Sequence, residues 1–224
     1  MKPMPRGFDL DAARRHLARR DPALGRWLRR VGPIDPEGWR RPFEPVDALA
    51  RSILYQQLSG KAAATIVARV EAAAAARRLD AAALGRLDDA TLRACGVSGN
   101  KVQALRDLCR HHAAGTVPSA RRMAGMDDAE LVERLTQVRG IGRWTVEMLL
   151  IFRLGRPDVL PVDDLGVRKG AQVLDGLEAL PAPRALLARG EAWAPFRTLA
   201  SLVLWRMADG EGVVEPAKVK RSAD

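Results

Sequence analysis

Two adjacent carboxylates, Asp163 and Asp164, follow an extended, Pro-containing loop and precede a helical pattern that starts near Leu165. Acidic residues at such a place commonly cap a helix or occupy its first turn. A fixed carboxylate can also stabilise positive charge that develops during a reaction, and it can orient or deprotonate an attacking water. Taken alone, the two residues favour the capping interpretation and leave the catalytic one open.

A second candidate site lies upstream, where the run VRGIGR, ending at Arg143, joins two amphipathic helical patterns. Gly140 and Gly142 have no Cβ, so the backbone there can approach another surface closely. N–H groups at the start of the following helix favour an anion, and Arg139 and Arg143 add positive charge on either side. The pattern predicts a contact with a DNA phosphate, to which Thr145 in the first turn also contributes. A plain helical hairpin with a tight turn is the alternative.

Composition supports a nucleic-acid partner. The net charge of the 224 residues is +10, and most of the 37 basic residues are arginine, whose guanidinium group matches phosphate oxygens. Genome base bias, which also favours Ala and Arg, is the alternative source of this excess. The hydrophobic content of 47% is sufficient for a large core.

The two cysteines, Cys95 and Cys109, cannot form a four-thiolate iron–sulfur cluster or a two-finger zinc framework. No apolar run is long enough to span a bilayer, and the N-terminus lacks the apolar core of a signal peptide. We therefore expect no cofactor, no metal of that kind and no membrane partner. A cytoplasmic, nucleoid-associated monomer is the default expectation.

Frequent helix-start and helix-stop residues, without a convincing alternation of apolar and polar residues, predict an all-α fold. We expect a two-lobed helical bundle with a helix-hairpin-helix motif and a cleft between the lobes. Residues 1–44 should form N-terminal helices that pack with the C-terminal lobe, and 45–140 a central helical lobe. Residues 141–210 should hold the second hairpin helix, the loop before Asp164 and the C-terminal helices, and 211–224 a basic flexible tail.

Several helix boundaries are predicted from local chemistry. Asp21-Pro22 is typical of an N-cap followed by Pro at the first helical position. Ser59 is a predicted cap for a long Ala-rich helix over about 61–78. The last strong helix is expected from about Pro195 to Ala208.

Four runs resemble one known family. LTQVRGIGRWTVEML resembles the helix-hairpin-helix of the DNA glycosylase superfamily that also carries a Gly/Pro-rich loop ending in Asp, and LGRPDVLPVDDLGVRKG supplies such a loop. SILYQQLSGKAAATIVARV and GVSGNKVQALRDLC resemble the alkylation-repair branch, the 3-methyladenine DNA glycosylase II type. The resemblance covers nearly everything from Val46 to Arg206. Because only about 45 residues precede the first matching helix, we expect no counterpart of the N-terminal β-rich domain of larger bacterial members.

The resemblance implies an enzyme that extrudes a damaged base from double-stranded DNA and hydrolyses its N-glycosidic bond. It implies that Asp164 is catalytic, and we assign Asp163 to capping the next helix. In members that also nick the backbone, a Lys after the second hairpin glycine forms a Schiff base with the sugar. Trp144 stands at that position, so we expect a monofunctional enzyme that leaves an abasic site.

The resemblance also implies a base pocket. Trp144 and Trp205 match positions of pocket aromatics in alkylation-repair relatives, and Tyr55 and Met148 are expected to add further walls. An indole face attracts a cation, and methylation at a ring nitrogen makes a purine cationic. The alternative is that both tryptophans are core residues of amphipathic helices.

Further contacts follow from the same resemblance. Gln57 matches an intercalating side chain, although that residue is usually apolar in relatives and a helix-capping role is an equal alternative. Arg168 is expected to meet the backbone of the flipped strand, with an exposed basic face as the alternative. In some relatives hairpin carbonyls bind a monovalent cation, which suggests Val138 and Ile141 as its ligands here.

Two other functions remain open from the sequence. The same fold could excise uracil or deaminated purines, since one Asp and an aromatic pocket do not specify the lesion. A non-catalytic DNA-binding module would use the hairpin alone, but such a module has no need of Asp164 or Trp144.

Overall fold

Every regular element of the described chain is helical. The computed structural model describes residues 7–35 and 37–210. The helices are α1 (Leu10–Arg20), α2 (Pro22–Arg30), α3 (Glu37–Arg40), α4 (Pro45–Tyr55), α5 (Gly60–Ala73), α6 (Ala81–Gly85), α7 (Asp89–Ala94), α8 (Gly99–Ala113), α9 (Ala120–Ala124), α10 (Asp128–Leu135), α11 (Arg143–Leu149), α12 (Leu165–Asp175), α13 (Pro183–Arg189) and α14 (Arg197–Ala208). A π-helical turn (Leu150–Leu154) continues α11, and a 3₁₀ turn (Gly190–Trp193) follows α13. The prediction of an all-α fold is confirmed.

The described helices form two compact units. The first unit contains residues 7–8 and 37–156, and the second contains 9–35 and 157–210. The boundary after Arg156 differs from the predicted one after Gly140, because α11 packs on α4 and α10 and therefore belongs with them. The tail predicted for 211–224 lies outside the described residues.

Side-chain caps define many of the helix starts. Asp21 accepts a hydrogen bond from the Leu24 N–H at 3.0 Å and Pro22 opens α2, as expected. Ser59 caps α5 as expected, but that helix ends at Ala73 rather than near residue 78. It stops there because Ala75 adopts a left-handed conformation with φ 48°, which cannot continue a right-handed helix.

The core of the first unit surrounds α4, which packs against α5, α8 and α11. Leu49, Ile53 and Leu105 are buried there, and each contributes about 1.5–3 kcal/mol by leaving water. The short helix α3 packs on the π-helical turn, where the Trp39 indole N–H donates to the Ile151 carbonyl at 2.5 Å. These contacts fix the directions of α4 and α11.

The core of the second unit is the pair α12 and α14. A Cβ at Gly170 would lie 2.0 Å from the Leu204 carbonyl oxygen, so only glycine allows the two backbones to come this close. Helices α1 and α2 also pack against α14.

A buried carboxylate links the N-terminal helices to the end of α13 within the second unit. Asp21 accepts from the Trp193 indole N–H at 2.8 Å and is paired with Arg189. Burial alone would raise the pKa of Asp21, but the hydrogen bonds from Trp193, Leu24 and Arg189 outweigh it and hold that pKa below its usual value. Asp21 is therefore a stabilising anion of this unit.

Within the described ranges, no helix has both the length and the apolar character needed to cross a membrane. In the same part of the chain, no group of three His, Cys, Asp or Glu side chains is placed to hold a metal ion. Cys95 and Cys109 are free thiols.

Candidate functional site

The hairpin between α10 and α11 exposes its backbone. Gly140 has φ 79°, and both it and Gly142 are exposed, whereas the Val138 and Ile141 side chains are buried. The Ile141 N–H donates to the Val138 carbonyl at 3.0 Å and closes the turn. Gly142 is the N-cap of α11 and supplies no side-chain cap. The two buried apolar side chains thus anchor a turn whose backbone faces outward.

Helix α8 packs against this hairpin on its buried side. Asp107 Oδ2 accepts a hydrogen bond from the Arg139 backbone N–H at 2.8 Å. This bond is the main reason that the pKa of Asp107 lies below its usual value. The hydrogen bond and charge of Arg110 and the charge of His111 lower that pKa further. A Cβ at Gly140 would lie 3.2 Å from the Ala104 Cβ, so the turn rests directly on α8.

The two hairpin arginines lie at the surface. The Arg139 side chain is exposed, with Nη2 3.4 Å from the Asn100 side-chain oxygen. Arg143 Nε donates to Glu147 Oε1 at 3.0 Å, and 69% of the Arg143 side chain is exposed. Both guanidinium groups therefore remain near the hairpin surface, where the sequence placed them.

Thr145, which the sequence analysis counted among the DNA contacts, is buried. It is only 4% exposed and lines an open cavity together with residues of α4 and α11. Little of the Thr145 side chain is therefore available to a partner, and its predicted contribution to phosphate binding stays a prediction.

A cavity of about 560 Å³ lies in the first unit, beside α4 and α11. Tyr55, Trp144 and Met148 all line it, so three of the four residues predicted for a base pocket come together. Tyr55 and Trp144 keep 44% and 47% of their surface exposed, which distinguishes them from core aromatics. The other lining residues are Ala48, Arg51, Ser52, Gln56, Gln57, Thr145, Leu149, Phe152 and Arg153.

The sequence analysis missed Phe152, which is 44% exposed and lines the same cavity. The pattern that could have revealed it is helical spacing: Trp144, Met148 and Phe152 follow one another at intervals of about one turn. Phe152 lies in the π-helical turn, a deviation that often occurs at functional sites.

The two glutamines after α4 have different environments. Gln56 is half-buried, and its Nε2 donates to the Gly140 carbonyl at 2.7 Å, which joins this turn to the hairpin. Gln57 is exposed and has φ 56°, a conformation that few residues other than glycine adopt. Of the two, Gln57 is thus the one placed to reach outside the protein.

In the second unit, Asp164 is the N-cap of α12. Its Oδ1 accepts from the Val167 N–H at 2.9 Å and from the Trp205 indole N–H at 2.7 Å. The expectation that Asp163 caps this helix is wrong: Asp163 is exposed, and Asp164 has the extended backbone of a cap, with φ −71° and ψ 125°. The hydrogen bonds on Oδ1 fix the orientation of the Asp164 carboxylate.

Trp205 therefore contacts Asp164 directly, a relation that the sequence analysis did not anticipate. Its indole also packs on Gly166 in the first turn of α12, where a Cβ would lie 2.6 Å from Trp205 Cδ1. Glycine at this position is what allows the indole N–H to reach the carboxylate.

One face of α14 holds the loop that leads to Asp164. Arg197 pairs with Asp158 at 2.7 and 2.8 Å, and the Val159 N–H donates to Thr198 Oγ1 at 3.0 Å. Ser201 Oγ donates to the Val159 carbonyl at 3.2 Å. This face of α14 carries side chains with polar groups at successive turns: Arg197, Ser201 and Trp205. Such a spacing in an otherwise apolar helix is the sequence pattern that could have indicated this face.

Arg168, the remaining predicted DNA contact, is half-buried, and its Nε donates to the Pro181 carbonyl at 2.9 Å. This bond ties α12 to the segment before α13. Lys169 beside it is exposed.

The geometry supports two kinds of chemistry. The first unit offers an outward-facing backbone turn with flanking guanidinium groups, which suits a phosphate, and an aromatic cavity, which suits a planar ring. The second unit offers an oriented carboxylate, which suits a centre of developing positive charge.

Comparisons with known proteins agree with this geometry. Residues 50–195 match the family described as HhH-GPD superfamily base excision DNA repair protein. DNA-3-methyladenine glycosylase 1 of Schizosaccharomyces pombe is 36% identical over 213 residues, which cover 95% of this chain and 93% of that protein.

Two solved structures are similar as well. The S. pombe 3-methyladenine DNA glycosylase Mag1 in complex with abasic DNA has a TM-score of 0.77 and 35% identity, and the match covers 91% of this chain and 100% of that one. A DNA-3-methyladenine glycosidase from Bacillus halodurans has a TM-score of 0.81 and 35% identity, with coverage of 90% and 91%.

Proposed function

Because the chain belongs to the HhH-GPD superfamily of base excision DNA repair proteins and is a DNA glycosylase, we propose that it is monofunctional and acts on alkylated purines. Its substrates would be bases of the 3-methyladenine and 7-methylguanine type in duplex DNA. The observation that carries this proposal is Trp144, which lines the aromatic cavity at the position where backbone-nicking members carry a lysine. An indole can bind a base but cannot form a Schiff base with the sugar.

Recognition of the base would rest on the cavity of the first unit. Tyr55, Trp144 and Phe152 offer ring faces there, and Met148 and Leu149 add apolar surface. A purine methylated at a ring nitrogen carries positive charge, which an aromatic face attracts. A flat, cationic ring would therefore gain from stacking on these ring faces.

The sugar chemistry would rest on Asp164 of the second unit. As the C1′–N bond breaks, the bonding electrons leave with the base, so a cationic methylpurine departs as a neutral molecule and needs no added proton. The positive charge that remains on the deoxyribose is stabilised by the carboxylate. A water adds to C1′ and gives its proton to Asp164 or to solvent, which leaves an abasic site.

The hairpin would hold the DNA backbone. The start of α11 lacks a side-chain cap, and Arg139 and Arg143 flank it, so a phosphate there gains both hydrogen bonds and charge. The Gly140 carbonyl is already used by Gln56, and the Val138 carbonyl keeps one lone pair beyond its bond to Ile141. The Val138 and Ile141 carbonyls would therefore fit a monovalent cation, which would offset phosphate charge.

Base extrusion leaves a gap in the duplex, and Gln57 would fill it. Its exposure and its position at the tip of the turn after α4 support this assignment. The S. pombe structure, which contains abasic DNA, supports the same class of product. We further propose that the protein acts as a monomer on nucleoid DNA in the cytoplasm.

The test incubates the purified protein with methylated duplex DNA and identifies the released bases by chromatography, with an Asp164→Asn variant as control. We expect free methylpurine and strand breaks that form only after alkali. Release of uracil or a deaminated purine instead would change the substrate class. Tight DNA binding without release of any base would contradict catalysis, and strand breaks without alkali would contradict the monofunctional assignment.

A further inference from the structure

The carboxyl end of α4 is held by a lysine. Lys101, near the start of α8, donates from Nζ to the carbonyl oxygens of Leu54 at 2.7 Å and Gln56 at 2.8 Å. The last carbonyl groups of a helix lack helical partners and form the negative end of its dipole, so an ammonium group there is doubly favourable. Lys101 is half-buried, and desolvation lowers its pKa. Burial of the ammonium group therefore carries a desolvation cost, and the two hydrogen bonds offset that cost.

The turn that Lys101 holds is strained and exposed. Gln57 has φ 56°, a left-handed conformation that is unfavourable for a residue with a side chain. Such a conformation persists only where the surroundings maintain it. Gln57 and Leu58 are both exposed, so their own side chains do not anchor the turn. The anchoring contacts are those of Gln56, through its carbonyl to Lys101 and through its amide to Gly140.

The same helix also carries the hairpin. Ala104 lies under Gly140, and Asp107 accepts from the Arg139 N–H. Lys101, Ala104 and Asp107 follow one another at helical spacing and share a face of α8. One rigid helix within the first unit thus sets the separation between the turn with Gln57 and the hairpin.

We propose that Lys101 is a positioning residue for base extrusion: it holds the turn so that Gln57 enters the gap while the hairpin holds the phosphate. This inference rests on the proposed function, and in particular on Gln57 as the gap-filling residue. Extruding a base costs a few kcal/mol, and a side chain offsets that cost best when it is already ordered in its bound conformation. Loss of Lys101 would make ordering of the turn an added cost of extrusion.

The test compares Lys101→Met, which keeps the length of the side chain but removes its donors, with Lys101→Arg, which keeps donors and charge. Single-turnover excision is measured at saturating enzyme on two duplexes, with 7-methylguanine opposite cytosine or opposite an abasic-site analogue. On the paired duplex we expect Lys101→Met to be about tenfold slower than the wild type. This factor is the one expected for the loss of a hydrogen bond from a charged group. Opposite the analogue, where extrusion is easier, the loss should shrink to about threefold or less. Lys101→Arg should recover most of the rate.

A double-mutant cycle then asks whether Lys101 acts through Gln57. On the paired duplex, Lys101→Met combined with Gln57→Ala should be no more than about twofold slower than Gln57→Ala alone. The proposal would be overturned if the rate loss of the double variant equalled the product of the two single losses. It would also be overturned if Lys101→Met lost the same factor on both duplexes. Thermal unfolding of each variant checks the fold, and Lys101→Gln replaces Lys101→Met should the latter fail to fold.

Failure of this inference is distinguishable from failure of the proposed function. If the wild type excises 7-methylguanine and Gln57→Ala excises it from the paired duplex equally fast, the positioning role is wrong and the glycosylase assignment stands. If the wild type releases no alkylated base, the proposed function fails and the inference falls with it.

Discussion

The N-termini of α11 and α12 are built in opposite ways. Helix α12 starts at Asp164, whose carboxylate accepts the Val167 N–H at 2.9 Å and brings a negative charge to that end. Helix α11 starts after Gly142, which brings neither a cap nor a charge. An N-terminus without a side-chain cap attracts an external anion, whereas a carboxylate there repels one and attracts positive charge. Under the proposed function, this difference suits the start of α11 to a phosphate and the start of α12 to the developing positive charge of the sugar.

The glycines at these two ends also differ in purpose. Gly166, in the first turn of α12, is required by packing, since a Cβ would collide with Trp205. Gly142 has φ −93°, and a Cβ there would meet no atom within 4 Å, so the fold itself does not require glycine. The absence of a side chain at Gly142 leaves this end of α11 open to approach from outside.

The largest effect is expected from Asp164→Asn. The amide oxygen can still accept from Val167 and Trp205, so α12 keeps its cap, but the negative charge is lost. Single-turnover excision of methylpurine should fall by at least about a thousandfold, while Kd for DNA stays within about threefold. Asp163→Asn is the matched control and should excise at the wild-type rate. Excision by Asp164→Asn at nearly the wild-type rate would show that the Asp164 carboxylate takes no part in the chemical step.

Gly142→Asp should convert the start of α11 into one that resembles α12. The backbone conformation there suits a capping carboxylate, so the protein should become more stable by a few tenths of a kcal/mol. The added charge should repel phosphate and raise Kd for DNA about tenfold or more, measured by fluorescence anisotropy. Gly142→Ser, a cap without charge, should weaken binding less. Unchanged affinity in Gly142→Asp would show that no phosphate binds at this end.

Trp205→Phe separates the two roles open to this residue. Phenylalanine keeps a ring for stacking but cannot donate to Asp164. If Trp205 orients the carboxylate, the excision rate should fall about tenfold at unchanged Kd, as expected for a lost hydrogen bond to a charged group. A wild-type rate in this variant would favour the stacking role that the sequence suggested.

A smaller effect is expected from Asp107→Ala, which removes the acceptor for the Arg139 N–H. Kd for DNA should rise about threefold, since the hairpin stays folded but less fixed. The Arg139 N–H lowers the pKa of Asp107 in the folded protein, so its contribution to stability is present above the unfolded value, about 4, and is lost as the pH falls through the folded value. Urea unfolding of both proteins should therefore show a difference at pH 7 that shrinks on acidification. A difference that grows would be inconsistent with this anchor.

The parts of the site that the sequence predicts are those set by local spacing. Trp144 and Met148 share a face of one helix, and both line the cavity. The sequence analysis assigned the N-cap of α12 to Asp163, but the cap is Asp164. Either acid is a good N-cap, and the backbone conformation alone decides between them. The Trp205–Asp164 bond could not be predicted, since it joins residues that meet only when α12 and α14 pack. The early end of α5 depends on the conformation of Ala75, which no residue type at that place indicates.

The division of labour between the two helix ends is tested most directly by measuring Kd for DNA and the single-turnover excision rate side by side for Gly142→Asp and Asp164→Asn. The account predicts that Gly142→Asp weakens binding but excises at the wild-type rate once DNA is saturated, and that Asp164→Asn binds normally but does not excise. Slow excision by saturated Gly142→Asp, or loss of binding in Asp164→Asn, would contradict it.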